Sequence, residues 1–234
     1  MLVVLETRSK HLISPQLTPQ ALKARKNATS LSEPPGHRHG VLGSGPDLHL
    51  LIVGDSSAAG VGAPRQREAL SGQLTQALAE SYRVSWRLVA RTGSTTRTTL
   101  PLLRAQDVQD TDVALVVLGV NDVTSQIPLK RLLHHRAELY RRLFEDWGAK
   151  RVIATGIPPI DKFPLLPNPL RWLLGLQARR FDHALARQAA SMGVDYMPFD
   201  VPLTPQMMAE DGFHPGPNAY HLIGKKVAAQ ILHR

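Results

Sequence analysis

The sequence predicts a three-layer α/β/α sandwich that is built on a sheet of five parallel strands. Five apolar runs of strand length alternate with segments whose apolar residues recur at helical spacing, a pattern typical of parallel strands joined by crossover helices. The first, third and fourth runs contain few charges, as expected for strands that helices cover on both faces. The predicted strands are 48–54, 82–90, 112–119, 150–156 and 194–199.

The second predicted strand differs from the others, because Val84, Trp86 and Leu88 alternate in it with polar or basic residues. Such alternation indicates a strand with one exposed face, and it is predicted to lie at an edge of the sheet. The segments with helical spacing are 66–81, 96–106, 128–147, 171–192 and 217–233. The last of these carries the apolar face that anchors it to the sheet: Leu222, Ile223, Val227 and Ile231.

Residues 1–46 have no sustained hydrophobic period and end in the Pro- and Gly-rich stretch SEPPGHRHGVLGSGPD. That composition is typical of loops and linkers. We therefore expect an N-terminal extension, partly irregular, over residues 1–46 and a single α/β domain over residues 47–234.

Composition limits the classes of partner. The chain has 28 Lys and Arg against 19 Asp and Glu, a net charge of +9, yet it has no nucleic-acid-reading motif and only 5% aromatic residues. We expect no nucleic-acid partner, and peripheral contact with an anionic membrane stays compatible with the charge. The absence of cysteine excludes disulfides, cysteine-ligated zinc and thiol catalysis. The pairs His37/His39 and His134/His135 lack the partners that a metal site needs, and none is predicted.

The N-terminus lacks the pattern of a signal peptide, since only Leu2 to Leu5 are apolar before Glu6 and the basic residues follow them. No run approaches the roughly 20 apolar residues that a transmembrane helix needs. We therefore expect a cytoplasmic protein.

The residues that follow each strand are the ones to search for chemistry, because open parallel sheets bind their ligands beyond the carboxyl ends of the strands. These positions combine glycine with hydrogen-bonding side chains, as in Gly54-Asp55-Ser56 and in the loop AEDGFHPGPNAY before the last helix. A serine nucleophile needs a general base, a carboxylate that orients the base, and donors for the oxyanion. Ser56 is the candidate nucleophile, His214 the candidate base and Asp211 the candidate orienting carboxylate. Gly93 and Asn121 are candidate oxyanion donors.

Four blocks of the sequence, in this order, resemble the SGNH (GDSL-type) hydrolase family: Gly54-Asp55-Ser56, Gly93, GVND at 119–122 and DGFHP at 211–215. The resemblance covers residues 48–234 and implies the flavodoxin-like sandwich of that family. It implies that Ser56 is the nucleophile, His214 the base and Asp211 the residue that orients it. It further implies an oxyanion hole made of the backbone N–H groups of Ser56 and Gly93 and the side-chain amide of Asn121.

Family membership implies cleavage of a carboxylic ester through an acyl-serine intermediate, with water as the usual second nucleophile and no metal or organic cofactor. The substrate expected is a small-molecule or lipid ester with a lipid-like or short aliphatic acyl group. The first block departs from the commonest pattern, because Ser57 stands where the family has an apolar residue. The same block lacks the lysine of a phosphate-binding P-loop.

The segment 157–175 contains five prolines and many apolar residues, and it follows the fourth predicted strand. We expect it to overhang the cleft as an apolar wall for the acyl group, with Phe163, Leu166 and Trp172 as the contacting side chains. The alternative is a stiff connection that packs on its own side chains.

Two other functions stay open from the sequence. The same site suits an acyltransferase or a carbohydrate-ester deacetylase, which the acceptor of the acyl group would distinguish. A non-catalytic basic module that binds nucleic acid or an anionic membrane is the alternative from another class, and its binding would weaken steeply with salt. The sequence does not determine the alcohol part of the substrate or the oligomeric state.

Overall fold

The computed structural model describes residues 31–233. Its centre is a six-stranded sheet with the strand order β1-β3-β2-β4-β5-β6. β1 runs antiparallel to β3, and the other neighbouring pairs are parallel. The strands are β1 (His39–Leu42), β2 (Asp47–Gly54), β3 (Arg83–Ala90), β4 (Val113–Val117), β5 (Arg151–Thr155) and β6 (Asp195–Met197).

Helices fill the connections between the parallel strands. They are α1 (Ser56–Ala59), α2 (Leu70–Leu78), α3 (Thr96–Arg104), α4 (Val120–Thr124), α5 (Leu129–Glu145), α6 (Leu170–Ser191) and α7 (Pro217–Leu232). Two short 3-10 turns occur at Gln66–Glu68 and Ile160–Lys162. No helix among residues 31–233 combines the length and the apolar character that crossing a bilayer requires.

The sheet separates two apolar cores, because successive side chains of a strand point to opposite faces. Leu50 and Ile52 of β2 pack on the side of α2 and α7, whereas Leu51 and Val53 pack on the side of α3 and α5. Leu74 and Val227 complete the first core, and Leu139 and Leu143 complete the second. The predicted three-layer α/β/α sandwich is therefore confirmed.

The strand count and the predicted edge are corrected. The sheet has six strands rather than five, and β1 pairs with β3 from His39↔Arg87 to Leu42↔Val84, so β3 does not lie at an edge. A strand that pairs with the edge of β3 bonds to its backbone N–H and C=O groups and does not cover either of its faces. The hydrophobic pattern of β3 therefore does not indicate that β1 pairs with it. Residues 31–46 of the predicted extension include β1, and residues 1–30 lie outside the described part of the chain.

A third apolar cluster lies under the segment that follows β5. Ile157, Phe163 and Leu166 pack there with Leu170 and Leu174 of α6. The segment 157–175 is thus a connection that packs largely on its own side chains, which is the alternative interpretation of its sequence. Of the predicted contacts, Leu166 is buried in this cluster, and Trp172 is 48% exposed.

Candidate functional site

Ser56 stands at a turn that only glycine permits. β2 ends at Gly54, where a Cβ would lie 2.4 Å from the Cβ of Ala58 and 2.5 Å from the carbonyl oxygen of Val117. The next residue, Asp55, begins α1 by accepting a hydrogen bond from the N–H of Ser57 at 3.0 Å. Ser56 is then the first residue of α1, at the carboxyl end of the central strand, and it is 6% exposed.

The side chain of Ser56 contacts a histidine from the far end of the chain. His214 Nε2 lies 2.9 Å from Ser56 Oγ, and His214 Nδ1 lies 2.5 Å from Asp211 Oδ2. These three side chains form one hydrogen-bonded line from carboxylate to hydroxyl. The line has the connectivity that a serine nucleophile, its base and an orienting carboxylate require.

The loop that carries Asp211 and His214 is held by its own backbone and by two aromatic rings. Asp211 Oδ1 accepts the N–H groups of Phe213 and His214, both at 2.9 Å, which closes the turn at Gly212. The ring of Phe213 packs edge-on against His214 at 5.2 Å and against Phe163 at 5.1 Å between centroids. The imidazole is therefore fixed from one side by a carboxylate and from another by an aromatic pair.

These contacts stabilise the ionised form of the Asp211 carboxyl. Burial acts to raise the pKa of its carboxyl, but the hydrogen bond with the His214 side chain and the two backbone N–H groups outweigh it. The pKa therefore lies below its ordinary value. Asp211 stays ionised at neutral pH and can stabilise an imidazolium on His214.

The three predicted oxyanion donors lie on three different strand ends. Gly93 has a φ of +77° and nothing within 4 Å of a Cβ placed on it, so the space beside its backbone is open. The amide nitrogen Nδ2 of Asn121, in α4, donates to the carbonyl oxygen of Ser94 at 3.1 Å and to Asp55 Oδ2 at 3.3 Å. The bond to Ser94 ties Asn121 to the loop of Gly93.

Asp55 is a buried carboxyl that sequence reasoning did not assign. Burial raises its pKa to about 6, against the lowering effects of the Ser57 N–H and of His214. It accepts from both Ser57 and Asn121, and so it links the serine turn to the candidate oxyanion residue. Its signal in the sequence is its place between the strand-ending Gly54 and Ser56.

Replacing Asp55 with Asn should make stability less dependent on pH. An acid whose pKa rises from 3.8 to about 6 on folding is penalised when ionised, so the wild type should lose stability as pH rises through that window. The loss amounts to about 3 kcal/mol relative to Asp55→Asn, whose amide oxygen still accepts from Ser57. Urea unfolding of both proteins at pH 4 and pH 7.5 measures it. A difference in unfolding free energy that does not change with pH would contradict the prediction.

A second buried network, missed by sequence reasoning, supports the same loops. Arg136 of α5 is fully buried and donates through Nη2 to Thr96 Oγ1 at 3.0 Å and to the carbonyl oxygen of Leu118 at 3.1 Å. Thr96 in turn donates its hydroxyl and its N–H to Asp122, at 3.0 Å and 3.1 Å from Oδ2. Asp122 is 1% exposed and adjoins Asn121.

An apolar cavity opens at Ser56. Of the three predicted substrate contacts only Phe163 lines it, so the prediction for Leu166 and Trp172 is not supported by the position of this cavity. The rest of the lining comes from elements that were not predicted to contact the substrate, chiefly α7 and residues 197–208. Among residues 31–233 no group of three or more His, Asp and Glu side chains is arranged to hold a metal ion.

Residues 52–222 match the GDSL-like lipase/acylhydrolase family. A GDSL-like esterase of Mycobacterium tuberculosis is 28% identical over an alignment of 187 residues that covers 75% of this chain and 59% of that protein. The chain thus spans about three fifths of the length of this relative.

Solved structures share the fold at low identity. The esterase EstA of Pseudoalteromonas sp. is 21% identical with a TM-score of 0.59, covering 79% of this chain and 96% of EstA. A lipase/acylhydrolase of Enterococcus faecalis is 19% identical with a TM-score of 0.57, covering 79% and 95%. At such identity the likeness concerns the fold, and the alignment leaves about a fifth of this chain without a counterpart.

Proposed function

The chain belongs to the GDSL-like lipase/acylhydrolase family, and we propose that it hydrolyses a carboxylic acyl ester through an acyl-Ser56 intermediate. The observation that carries the proposal is the line of hydrogen bonds from Asp211 through His214 to Ser56, at 2.5 Å and 2.9 Å. Its three members come from positions 56, 211 and 214, and one of them, Ser56, lines an apolar cavity.

In the first half of the reaction, Ser56 Oγ attacks the carbonyl carbon of the ester while His214 Nε2 takes its proton. Asp211 stabilises the imidazolium that forms. The tetrahedral intermediate then breaks its bond to the alcohol oxygen, and His214 returns the proton to that oxygen. The alcohol leaves, and the acyl group stays on Ser56 as an ester.

In the second half, water replaces the alcohol. His214 takes a proton from the water as its oxygen attacks the acyl carbon, and the second tetrahedral intermediate expels Ser56 Oγ, which regains the proton. The acid product leaves. Besides the ester, water and the oxyanion donors, each step needs only His214, which contacts Ser56, and Asp211, which contacts His214.

The negative oxygen of both intermediates would face three donors: the N–H groups of Ser56 and Gly93 and Nδ2 of Asn121. Nδ2 has two hydrogens, which point at Ser94 and Asp55. The contact with Asp55 is the longer, at 3.3 Å, and we propose that this hydrogen turns to the oxyanion. The shorter bond to Ser94 would then hold the Asn121 amide beside the loop of Gly93.

Two relatives support the assignment of the chemistry. The Mycobacterium tuberculosis protein is described as an esterase, and EstA of Pseudoalteromonas sp. has been crystallised in a form inhibited by monoethylphosphonate. A phosphonate on a serine oxygen has the tetrahedral shape and the charged oxygen of the intermediates above. This similarity provides a direct probe for the present chain.

A p-nitrophenyl ethylphosphonate should label Ser56. Oγ attacks phosphorus, p-nitrophenolate leaves, and the mass of the peptide that contains Ser56 rises by one ethylphosphonyl group per chain. Peptide mass spectrometry of the wild type, Ser56→Ala and Ser57→Ala separates the two adjacent hydroxyls. The proposal requires labelling of the wild type and of Ser57→Ala, with none in Ser56→Ala. Labelling that persists in Ser56→Ala would overturn it.

A further inference from the structure

The cavity at Ser56 has one wall that is a single helix face. Ala219, Tyr220, Ile223 and Lys226 of α7 line it at intervals of one, three and three residues. α7 begins just after His214, so this face leads away from the catalytic imidazole. At 1.5 Å per residue, the distance from Ala219 to Lys226 is about 10 Å.

The opposite wall is the segment 197–208, which connects β6 to the loop of His214. It contributes Phe199, Val201 and Leu203 together with three of the five methionines of the chain, which are Met197, Met207 and Met208. Methionine is unbranched and has several rotatable bonds, so it adapts its shape to flexible apolar ligands.

Most polar groups of the lining fall into two sets. Asp55, Ser56 and Asn121 belong to the catalytic site, and Lys226, which contacts Asp200, lies about two turns along α7 from Ala219. Thr155 also lines the cavity, and its hydroxyl donates to the carbonyl oxygen of Val116 at 3.4 Å. The hydroxyl of Tyr220 is likewise engaged, because it donates to the carbonyl oxygen of Val61 at 2.6 Å. The rest of the cavity therefore suits a hydrocarbon and offers little to a sugar or a peptide.

Lys226 and Asp200, which both line the cavity, form an ion pair with each other. Lys226 Nζ lies 2.6 Å from Asp200 Oδ2 and 2.5 Å from the carbonyl oxygen of Asp200, which joins α7 to the opposite wall. The side chain of Asp200 is 87% exposed and that of Lys226 is 36% exposed, so the pair lies at the surface of the protein. An acyl chain that runs along α7 past Ile223 reaches this pair.

We propose that this cavity binds the unbranched acyl chain of the substrate, with its terminal methyl group toward the Lys226–Asp200 pair. The inference rests on the proposed function, which brings the ester carbonyl to Ser56 and leaves its acyl side beside the cavity. The alcohol part then faces the open side of the cleft. A chain of medium length fills the cavity, and the segment 157–175 contributes to it only through Phe163 and Pro158.

The chain-length profile for p-nitrophenyl esters, from acetate to palmitate, tests the proposal. Each buried methylene should raise kcat/KM about fourfold until the cavity is full, after which kcat/KM should fall. Ile223→Trp should move the optimum toward acetate while acetate itself is still hydrolysed. Lys226→Ala should move the optimum toward longer esters, since it removes the ion pair that a longer chain reaches.

Lys225 provides the matched control, because it is exposed on the same helix and does not line the cavity. Lys225→Trp and Lys225→Ala should keep the wild-type profile. Met207→Phe, on the opposite wall, should also shorten the preferred chain and serves if Ile223→Trp does not fold. A profile that stays unchanged in folded Ile223→Trp, Met207→Phe and Lys226→Ala would overturn the cavity assignment.

The same experiment separates this inference from the proposed function. Hydrolysis of acetate and labelling of Ser56 report on the catalytic residues alone, because neither needs the cavity. If both occur but the profile does not respond to the variants, the acyl chain binds elsewhere and the esterase proposal stands. If neither occurs in the wild type, the proposed function fails, and the acyl-chain inference falls with it.

Discussion

Ser56→Ala is expected to lower kcat for p-nitrophenyl butyrate by about 10⁴-fold or more. Without Oγ there is no acyl-enzyme, and the residual rate would come from water held near the oxyanion donors. Ser57→Ala is the matched control, since Ser57 also lines the cavity but its side chain makes no contact with His214. Its kcat should stay within a few fold of the wild type.

Steady-state kinetics of the two variants, with circular dichroism to verify folding, decide the prediction. Retention of more than a hundredth of wild-type kcat by folded Ser56→Ala would reject Ser56 as the nucleophile. A large loss in Ser57→Ala, with Ser56→Ala active, would assign the nucleophile to Ser57.

The double variant Ser56→Ala/His214→Ala extends this prediction. Residues that act as one unit lose their effect together, so removal of His214 from an enzyme without Oγ should change kcat little. An additive loss would mean that His214 acts on a group other than Ser56. The 2.9 Å contact between Nε2 and Oγ is the reason to expect non-additivity.

The members of the site that could be predicted are those whose chemistry appears in a local pattern. Gly54 and Ser56 follow an apolar strand, and Asp211 and His214 stand three residues apart before a helix that begins with proline. The structure brings Ser56, Asp211 and His214 into contact, whereas their roles stay a prediction. The layered architecture likewise follows from alternating strands and helices, because crossover connections place helices on both faces of a parallel sheet.

Arg136 and β1 could not be predicted, for two different physical reasons. Helical spacing places Arg136 on the apolar face of α5 with Leu132 and Leu139, opposite the exposed Arg141, but it does not identify the acceptors that would allow a guanidinium to be buried there. Burial of a guanidinium depends on acceptors that other elements provide, here Leu118 and Thr96. β1 is four residues long in a Gly- and Pro-rich region, and its pairing uses backbone groups that every sequence has.

The sequence predicts the acyl wall in residues 157–175, whereas the cavity that we propose for the acyl chain is lined chiefly by α7 and residues 197–208. Residues 157–175 form a strongly apolar stretch of sequence, but most of their apolar side chains pack in the third apolar cluster, under their own turns. Residues 197–208 look like an irregular loop with prolines and methionines. Their apolar side chains face a cavity only because α7 returns to the sheet beside them, which is a long-range consequence of the fold.

Arg136→Met is expected to lower the free energy of unfolding by about 3–5 kcal/mol at neutral pH. The variant removes a buried cation and leaves Asp122, 1% exposed, without its nearest compensating charge. Arg141→Met, on the exposed side of the same helix, should change stability by no more than about 0.5 kcal/mol. Urea unfolding of the three proteins makes the comparison.

The pH dependence of that loss identifies its cause. Burial already raises the pKa of Asp122, although Arg136 and the hydrogen bonds from Thr96 oppose it. Without Arg136 the pKa of Asp122 should rise further. At low pH the Asp122 carboxyl of the folded variant is then neutral, whereas at pH 8 it is ionised and destabilises the fold. The loss should therefore be larger at pH 8 than at pH 5, and it should shrink when Asp122→Asn is added to Arg136→Met. Arg136 would be a packing residue alone if the loss were equal at both pH values and Asp122→Asn gave no recovery. Equal loss at both pH values would also mean that no electrostatic interaction connects α5 to α4, the helix that contains Asn121. Recovery of stability with Asp122→Asn would establish that interaction.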